Sequence, residues 1–219
     1  MRYTQEFAKL LHKAELAPGV FSFTLSAPQI AGAAAAGQFV NLVCDGYTLR
    51  RPISICGFDA GLGVLRLVFE VRGKGTAWLA ERQAGDTLDL VGPLGHGFPL
   101  LEASKWAVLV GGGIGTPPLL PLAQHYGKNA AVITGFRSGS AAILQADMQA
   151  AGAHTILCTD DGSAGFHGFT TQALEQYLES AACDVVYTCG PKVMMRGVAA
   201  IAEKKGIPCY VSMEERMAC

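Results

Sequence analysis

The stretch AVLVGGGIGTPPLLPLA, residues 107–123, decides the fold. AVLVG (107–111) is an unbroken apolar run of strand length. Gly111, Gly112, Gly113 and Gly115 follow, and an apolar segment then opens on Thr116-Pro117-Pro118. Glycines let a chain turn tightly and let a phosphate approach backbone amides. The spacing predicts a strand, a sharp turn and a helix starting near Thr116, with Thr116 as its N-cap and Pro117 in its first turn. Such a helix start offers free amides and a positive dipole end to a pyrophosphate. The usual dinucleotide spacing is absent. Counting from Gly111 puts Thr116 at the third glycine, and counting from Gly113 puts Pro118 there. This is a nucleotide-binding turn of another kind; the competing reading is a turn whose glycines serve packing alone.

Downstream the same rhythm continues. Apolar runs AVITGF (131–136), TILCT (155–159), DVVYTCG (184–190) and PCYVS (208–212) alternate with helix-length segments near 117–126, 140–151, 170–181 and 191–205. Strand and helix in alternation, with strands apolar throughout, predict a parallel doubly wound α/β sheet covered on both faces. Ligands bind such sheets at the carboxyl ends of the strands. Those ends carry Gly135-Phe136-Arg137, Thr159-Asp160-Asp161-Gly162 and Cys189-Gly190-Pro191. TDDGS alone reads as an ordinary turn, and Cys189 alone as a buried thiol. Together they extend the candidate site.

Upstream the period changes to two. In GVLRLVFEV (63–71), Leu65, Leu67, Phe69 and Val71 fall on one side and Arg66 and Glu70 on the other. VFSFTLSAP, GQFVNLVC and GDTLDLVGPLG are further short strands, and GTAWLAERQAG (75–85) reads as one helix. These predict a small antiparallel β-barrel over 1–100, a boundary near Pro99 to Lys105, and the α/β domain over 101–212. LRRPISIC (49–56) sets two arginines before a proline. Arg51 could neutralise a phosphate or an anionic ring, and Ser54 offers a small hydroxyl near the backbone. Gly75 and Thr76 open the following helix as a second phosphate cradle. The plainer reading is an edge strand with solvated arginines, followed by a helix cap.

The 219 residues are 50% hydrophobic and 16% charged, with a net charge of -1 and no basic block, so nucleic-acid binding has no electrostatic support. No apolar run reaches the roughly 20 residues of a membrane span. The N-terminal segment lacks an apolar signal core, which leads to the expectation of a cytoplasmic protein. The seven cysteines are widely spaced, without a CxxC pair, and read as reduced thiols.

Arg51-Pro52-Ile53-Ser54, Gly75-Thr76 with Leu79, GDTLDLVGPLG, GGGIGTPP and CGP follow one another as in the ferredoxin reductase superfamily, and the resemblance covers nearly the whole chain. It implies a barrel that holds FAD and an α/β domain that takes a pyridine nucleotide. RRPISI, VRGKGT, TDDGS and EERMAC narrow the resemblance to the electron-transfer subunits of the NAD-dependent dihydroorotate dehydrogenase. It places Arg51, Pro52, Ile53 and Ser54 along the flavin and its phosphates. Val68, Phe69 and Glu70 fall beside the flavin, and Gly75 and Thr76 at the FAD pyrophosphate. Gly111, Gly112, Gly113, Ile114, Gly115 and Thr116 fall at the nucleotide pyrophosphate, and Cys189, Gly190 and Pro191 near the nicotinamide. Arg137 and Asp160 stand at the nucleotide edge. Arg137 with Ser138 could meet the 2′-phosphate of NADP, but the GFRS stretch resembles the NAD-using family, and NAD is the expectation.

The resemblance also gives the last segment, 213–219, a meaning. Cys219 stands where the first ligand of a [2Fe-2S] cluster would stand, and a two-iron cluster takes four thiolates. The expectation is a fragment whose cluster loop continues past Cys219; the alternative is a clusterless protein with a free thiol. The implied function is an electron relay between NAD and an FMN-containing catalytic subunit that oxidises dihydroorotate to orotate, in a hetero-oligomer. Hydride would pass between nicotinamide and flavin stacked where the two domains meet, with no side chain required as acid or base. The alternatives are a reductase subunit of a hydrogenase, sulfide-linked or ferredoxin:NADP type complex, and a nucleotide-binding regulatory module without redox chemistry.

Overall fold

The computed structural model describes residues 3–213. The chain divides into two units between Phe98 and Pro99. The first contains β1 (Thr4–Ala17), β2 (Val20–Ser26), α1 (Pro28–Ala33), β3 (Phe39–Leu42), β4 (Arg51–Asp59), β5 (Val64–Glu70), α2 (Lys74–Ala80) and β6 (Thr87–Leu94). Its strands close into a barrel in the order β1-β2-β5-β4-β3-β6, and every pair is antiparallel. Closure leaves no free sheet edge. The period of two sorts the side chains. Ile53 and Ile55 of β4 and Leu65, Leu67 and Phe69 of β5 enter the barrel core with Phe23 and Leu25 of β2. Pro52, Ser54, Val68 and Glu70 therefore stand on the outer face.

The 14-residue β1 is absent from the sequence-based expectation. Only Glu6, Ala8, Leu10 and Ala17 of that strand are buried, while Phe7 and Leu11 are exposed, so a charged residue inside and apolar residues outside hide its alternation. Glu6 is buried for a specific reason: its carboxylate accepts the amides of Gln29 at 3.2 Å and Ile30 at 3.0 Å at the start of α1. The expected helix over 75–85 is shorter, because the chain turns after Ala80 and the Gln83 amide donates to Asp86 Oδ2 at 2.9 Å.

The second unit contains β7 (Ala107–Gly112), α3 (Leu120–Tyr126), β8 (Ala130–Phe136), α4 (Gln145–Ala150), β9 (His154–Thr159), β10 (Phe166–His167), α5 (Thr170–Tyr177), β11 (Val185–Cys189), α6 (Lys192–Lys205) and β12 (Cys209–Val211). All neighbours in the sheet are parallel, in the order β10-β9-β8-β7-β11-β12. Val108, Val110, Ile133 and Val186 pack under Leu174 of α5 and Val198 of α6. Tyr187 alternates with Val186 and meets Tyr126 of α3, so α3 covers the opposite face. The helices expected over 140–151 and 170–181 are shorter, at Gln145–Ala150 and Thr170–Tyr177. After β7 the chain steps outward through β8, β9 and β10, then returns to the other side of β7 with β11. That reversal is the switch point where a ligand crevice forms at the carboxyl edge.

Candidate functional site

Two loops interlock at the switch point. Gly111 of β7 stands opposite Cys189 of β11. The turn after β7 is a 3-10 turn over Gly113–Gly115, followed by a second over Pro117–Leu119 before α3 begins at Leu120. The helix start expected at Thr116 is thus delayed by two tight turns. Thr116 is already in helical geometry and makes no capping hydrogen bond. Its hydroxyl is fully buried, without a hydrogen-bond partner, in the space that a Cβ on Gly111 would crowd at 3.0 Å.

The glycines divide by role. A Cβ at Gly115 would lie 2.5 Å from the Cys189 carbonyl oxygen and 2.5 Å from Gly190 Cα, so the two backbones touch there. Gly112 lies under the side chains of Pro191 and Met194, which a Cβ would meet at 2.8 and 2.7 Å. Gly113 differs: its φ is +52°, and a Cβ there would meet nothing within 4 Å. Gly113 and Ile114 are the half-exposed members of the turn. Packing therefore explains three of the four glycines, and Gly113 with Ile114 forms the open lip that an anion can reach.

The neighbouring strand ends join the same edge. Arg137, just past β8, is exposed and has no carboxylate partner among the described residues. The Asp160 amide donates to the Phe136 carbonyl at 3.0 Å, and the Asp161 amide to the Arg137 carbonyl at 3.2 Å. Ser163 binds the two loops: its hydroxyl donates to Asp161 Oδ1 at 2.6 Å and accepts the Gly139 amide at 2.8 Å. The side-chain hydrogen bond from Ser163, then the one from its amide, lowers the Asp161 carboxyl below the ordinary value of 3.8. Asp160 is exposed, and its side chain has no hydrogen bond among those described. Phe169 is a residue that the sequence reading passed over. Thr170 fills the space above Gly135 at the end of β8, and this holds the preceding Phe169 ring at the edge, 64% exposed. An aromatic residue just before a helix is the signal available in the sequence.

On the barrel, the adjacent arginines take different tasks. Arg50 forms a two-pronged pair with Asp89, at 3.1 and 3.0 Å, and donates to the Asn41 carbonyl at 3.3 Å. Arg51 has no carboxylate partner among the described residues. Its guanidinium lies over the Tyr47 ring at 5.5 Å and donates to the Leu49 carbonyl. It rests against Gly75 at the start of α2, where any Cβ would collide with it. Burial pushes the Cys44 thiol up, and the nearby Arg51 charge works against that shift. Pro52 and Ser54 are half-buried on the outer face of β4, and Val68 is buried on the outer face of β5. Ile53 and Phe69 face the other way: Phe69 packs edge-on against Phe23 at 5.0 Å in the core. Only the backbone of these two reaches the outer face. Glu70 is paired with Arg72 at 2.7 Å. The Thr76 hydroxyl accepts the amides of Arg72 at 2.9 Å and Gly73 at 3.1 Å and donates to the Gly73 carbonyl at 3.0 Å, so it shapes the loop. Cys219 lies outside the described residues. Among the described residues, no three His, Cys, Asp or Glu side chains gather as a metal site.

No family model matches the chain. Among individual proteins, it is 42% identical over 213 residues to the dihydroorotate dehydrogenase B (NAD(+)) electron transfer subunit of Geobacillus thermodenitrificans strain NG80-2, covering 93% of this chain and 80% of that one. The protein of the same name from Desulforamulus reducens is 38% identical over 219 residues, covering 97% and 83%. Among solved structures, the NADH-dependent reduced ferredoxin-NADP oxidoreductase studied for flavin-based electron bifurcation superposes with a TM-score of 0.86 at 28% identity, over 97% of this chain and 78% of that one. The ferredoxin reductase of carbazole 1,9a-dioxygenase shares the fold, with a TM-score of 0.82 at 19% identity over 97% and 70%.

Proposed function

The chain belongs to the family of electron transfer subunits of dihydroorotate dehydrogenase B, and on that footing we propose how its residues serve the relay. The chain is a flavoprotein component of an NAD-linked oxidoreductase that works with a separate catalytic subunit. We take that partner to contain FMN and to oxidise dihydroorotate to orotate, as part of a hetero-oligomer. The six described cysteines are reduced thiols, which suits a reducing compartment and supports a cytoplasmic setting. No described helix is long and apolar enough to cross a membrane.

The barrel residues fit FAD. Arg51, a cation parked on a glycine and free of any described carboxylate, would bind the anionic part of the cofactor. Pro52 and Ser54 give a shallow surface of small side chains for a flat ring, with Val68 beside them. When bound, FAD supplies exchange of an electron pair with a nicotinamide and of single electrons with an iron–sulfur cluster. The chain's own residues orient and shield.

In the second unit, the amides at Gly113 and Ile114 would receive the NAD pyrophosphate. Cys189, Gly190 and Pro191 would border the nicotinamide, and Phe169 would give the adenine a face to stack on. Arg137 stands by this edge, but the ionised Asp161 and the exposed Asp160 favour a ribose diol and repel a 2′-phosphate, which supports NAD over NADP. The first cluster ligand is proposed at Cys219, beyond the described residues.

The observation that carries this reading is Arg51 on Gly75. A regulatory module that merely binds a nucleotide has no use for that cation on the barrel, free of any described carboxylate. The test is to purify the protein together with its partner subunit, record the flavin spectrum, and follow NAD reduction by dihydroorotate. A colourless preparation would end the proposal.

A further inference from the structure

Residues 99–103 open the second unit without strand or helix. Two tyrosines bind backbone groups of this stretch. The Leu101 amide donates to Tyr126 Oη at 3.0 Å, the Tyr126 and Tyr187 hydroxyls lie 2.8 Å apart, and Tyr187 Oη donates to the Pro99 carbonyl at 2.6 Å. An amide can only donate and a carbonyl can only accept. The proton order is therefore set: Leu101 N–H to Tyr126, Tyr126 O–H to Tyr187, Tyr187 O–H to Pro99. The bridge leaves the connector and returns to it two residues away. His125 Nε2 adds a bond to the Leu101 carbonyl at 2.9 Å, which puts its proton on Nε2, and Asn129 donates to the Ala103 carbonyl at 2.9 Å. Tyr187 is fully buried and stacks on Tyr210 of β12 at 5.5 Å. Burial raises its hydroxyl far above the ordinary tyrosine range, so it stays a neutral donor.

These anchors lie on the two elements that form the candidate nucleotide cradle. Tyr187 stands two residues before Cys189 on β11, and β11 ends at the loop that touches Gly115. Tyr126 ends α3, which continues directly from the glycine turn. We propose that Tyr126 and Tyr187 are positioning residues that tie the connector 99–103 to both walls of the nucleotide cradle and hold those walls in register. The proposal rests on the reading of that edge as the NAD site.

The test uses the full-length flavoprotein carrying Tyr126→Phe or Tyr187→Phe. Amide hydrogen exchange is measured over the connector and over β7, together with KM and kcat for NADH oxidation by ferricyanide. Each variant should raise exchange over residues 101–105 about tenfold or more while residues 108–110 keep their protection. KM for NADH should rise roughly three- to tenfold with kcat and flavin content unchanged. Unchanged connector exchange overturns the tie. A loosened connector with an unchanged KM overturns its link to the cradle. Should either phenylalanine variant fail to fold, His125→Ala removes the Leu101 carbonyl bond and the edge contact with the Tyr126 ring but leaves both tyrosine hydroxyls, and must move exchange and KM in the same direction, to a smaller extent. If the unaltered protein does not oxidise NADH, the site reading fails, while the exchange measurement still judges the tie.

Discussion

Replacing Gly115 with alanine is the sharpest test of the nucleotide site. The added Cβ would stand 2.5 Å from the Cys189 oxygen, 2.5 Å from Gly190 Cα and 2.6 Å from the Cys189 carbonyl carbon. Carbon atoms in contact settle at about 3.5 Å or more, so the two loops must part by about 1 Å. All three neighbours are backbone, held by the Cys189–Gly111 ladder, so no side chain can swing away. Crowding of this kind costs about 1–3 kcal/mol and lowers the melting temperature by several degrees. A 1 Å shift of a binding wall can cost on the order of 100-fold in rate. NADH titration and steady-state oxidation by ferricyanide should therefore show kcat/KM reduced by roughly 10- to 100-fold, with flavin content unchanged, because Arg51 and Ser54 belong to the other unit. Gly113→Ala is the control. It has open space for a Cβ, and its φ of +52° alone should cost about 1–2 kcal/mol. A Gly115→Ala protein with the parent's melting temperature and kinetics would refute the idea that this close approach shapes the site.

Arg51→Ala should weaken FAD retention roughly tenfold or more, the worth of a charge-assisted hydrogen bond, with flavin released on gel filtration as the readout. Gly75→Ala should act in the same direction by pushing the guanidinium aside, while the fold persists because only a flexible side chain has to move. Arg50→Ala should leave FAD content intact and lower stability by about 1 kcal/mol in urea titration, since its pair with Asp89 is partly solvated. Ser163→Ala should return the Asp161 carboxyl toward its ordinary value of 3.8, seen by NMR titration. The sign follows from the depressed folded value: the stabilisation is present above the ordinary carboxylate range, is lost as pH falls through the lowered value, and should be reduced in the variant, where the amide at position 163 still donates to Asp161.

The rhythm of the chain was enough to read both halves. Period two in 63–71 and apolar runs alternating with helices after residue 106 depend on local periodicity alone, and the barrel and the parallel sheet follow from them. RPIS and the glycine-rich turn were legible for the same reason, as unusual residues at the ends of readable elements. The 14-residue β1 was not, because Glu6 is buried while Phe7 and Leu11 face solvent, which masks its alternation.

Tertiary contacts decided the roles. Arg50 and Arg51 are chemically identical neighbours; Asp89, far along the chain, claims one and leaves the other on Gly75. Phe69 and Glu70 were both expected beside a flavin, yet strand alternation sends the Phe69 ring into the core and Arg72 holds Glu70. Thr116 resembled a cap, but the close pass of Gly115 over Cys189 tightens the turn and buries its hydroxyl. The Tyr126–Tyr187 bridge joins residues 61 and 88 positions apart. A sequence determines spacing and polarity along one dimension, which is enough to choose strands, helices and their layers. Whether a side chain is spent on a neighbour or left open for a ligand depends on which distant groups the closed barrel and the wound sheet bring against it.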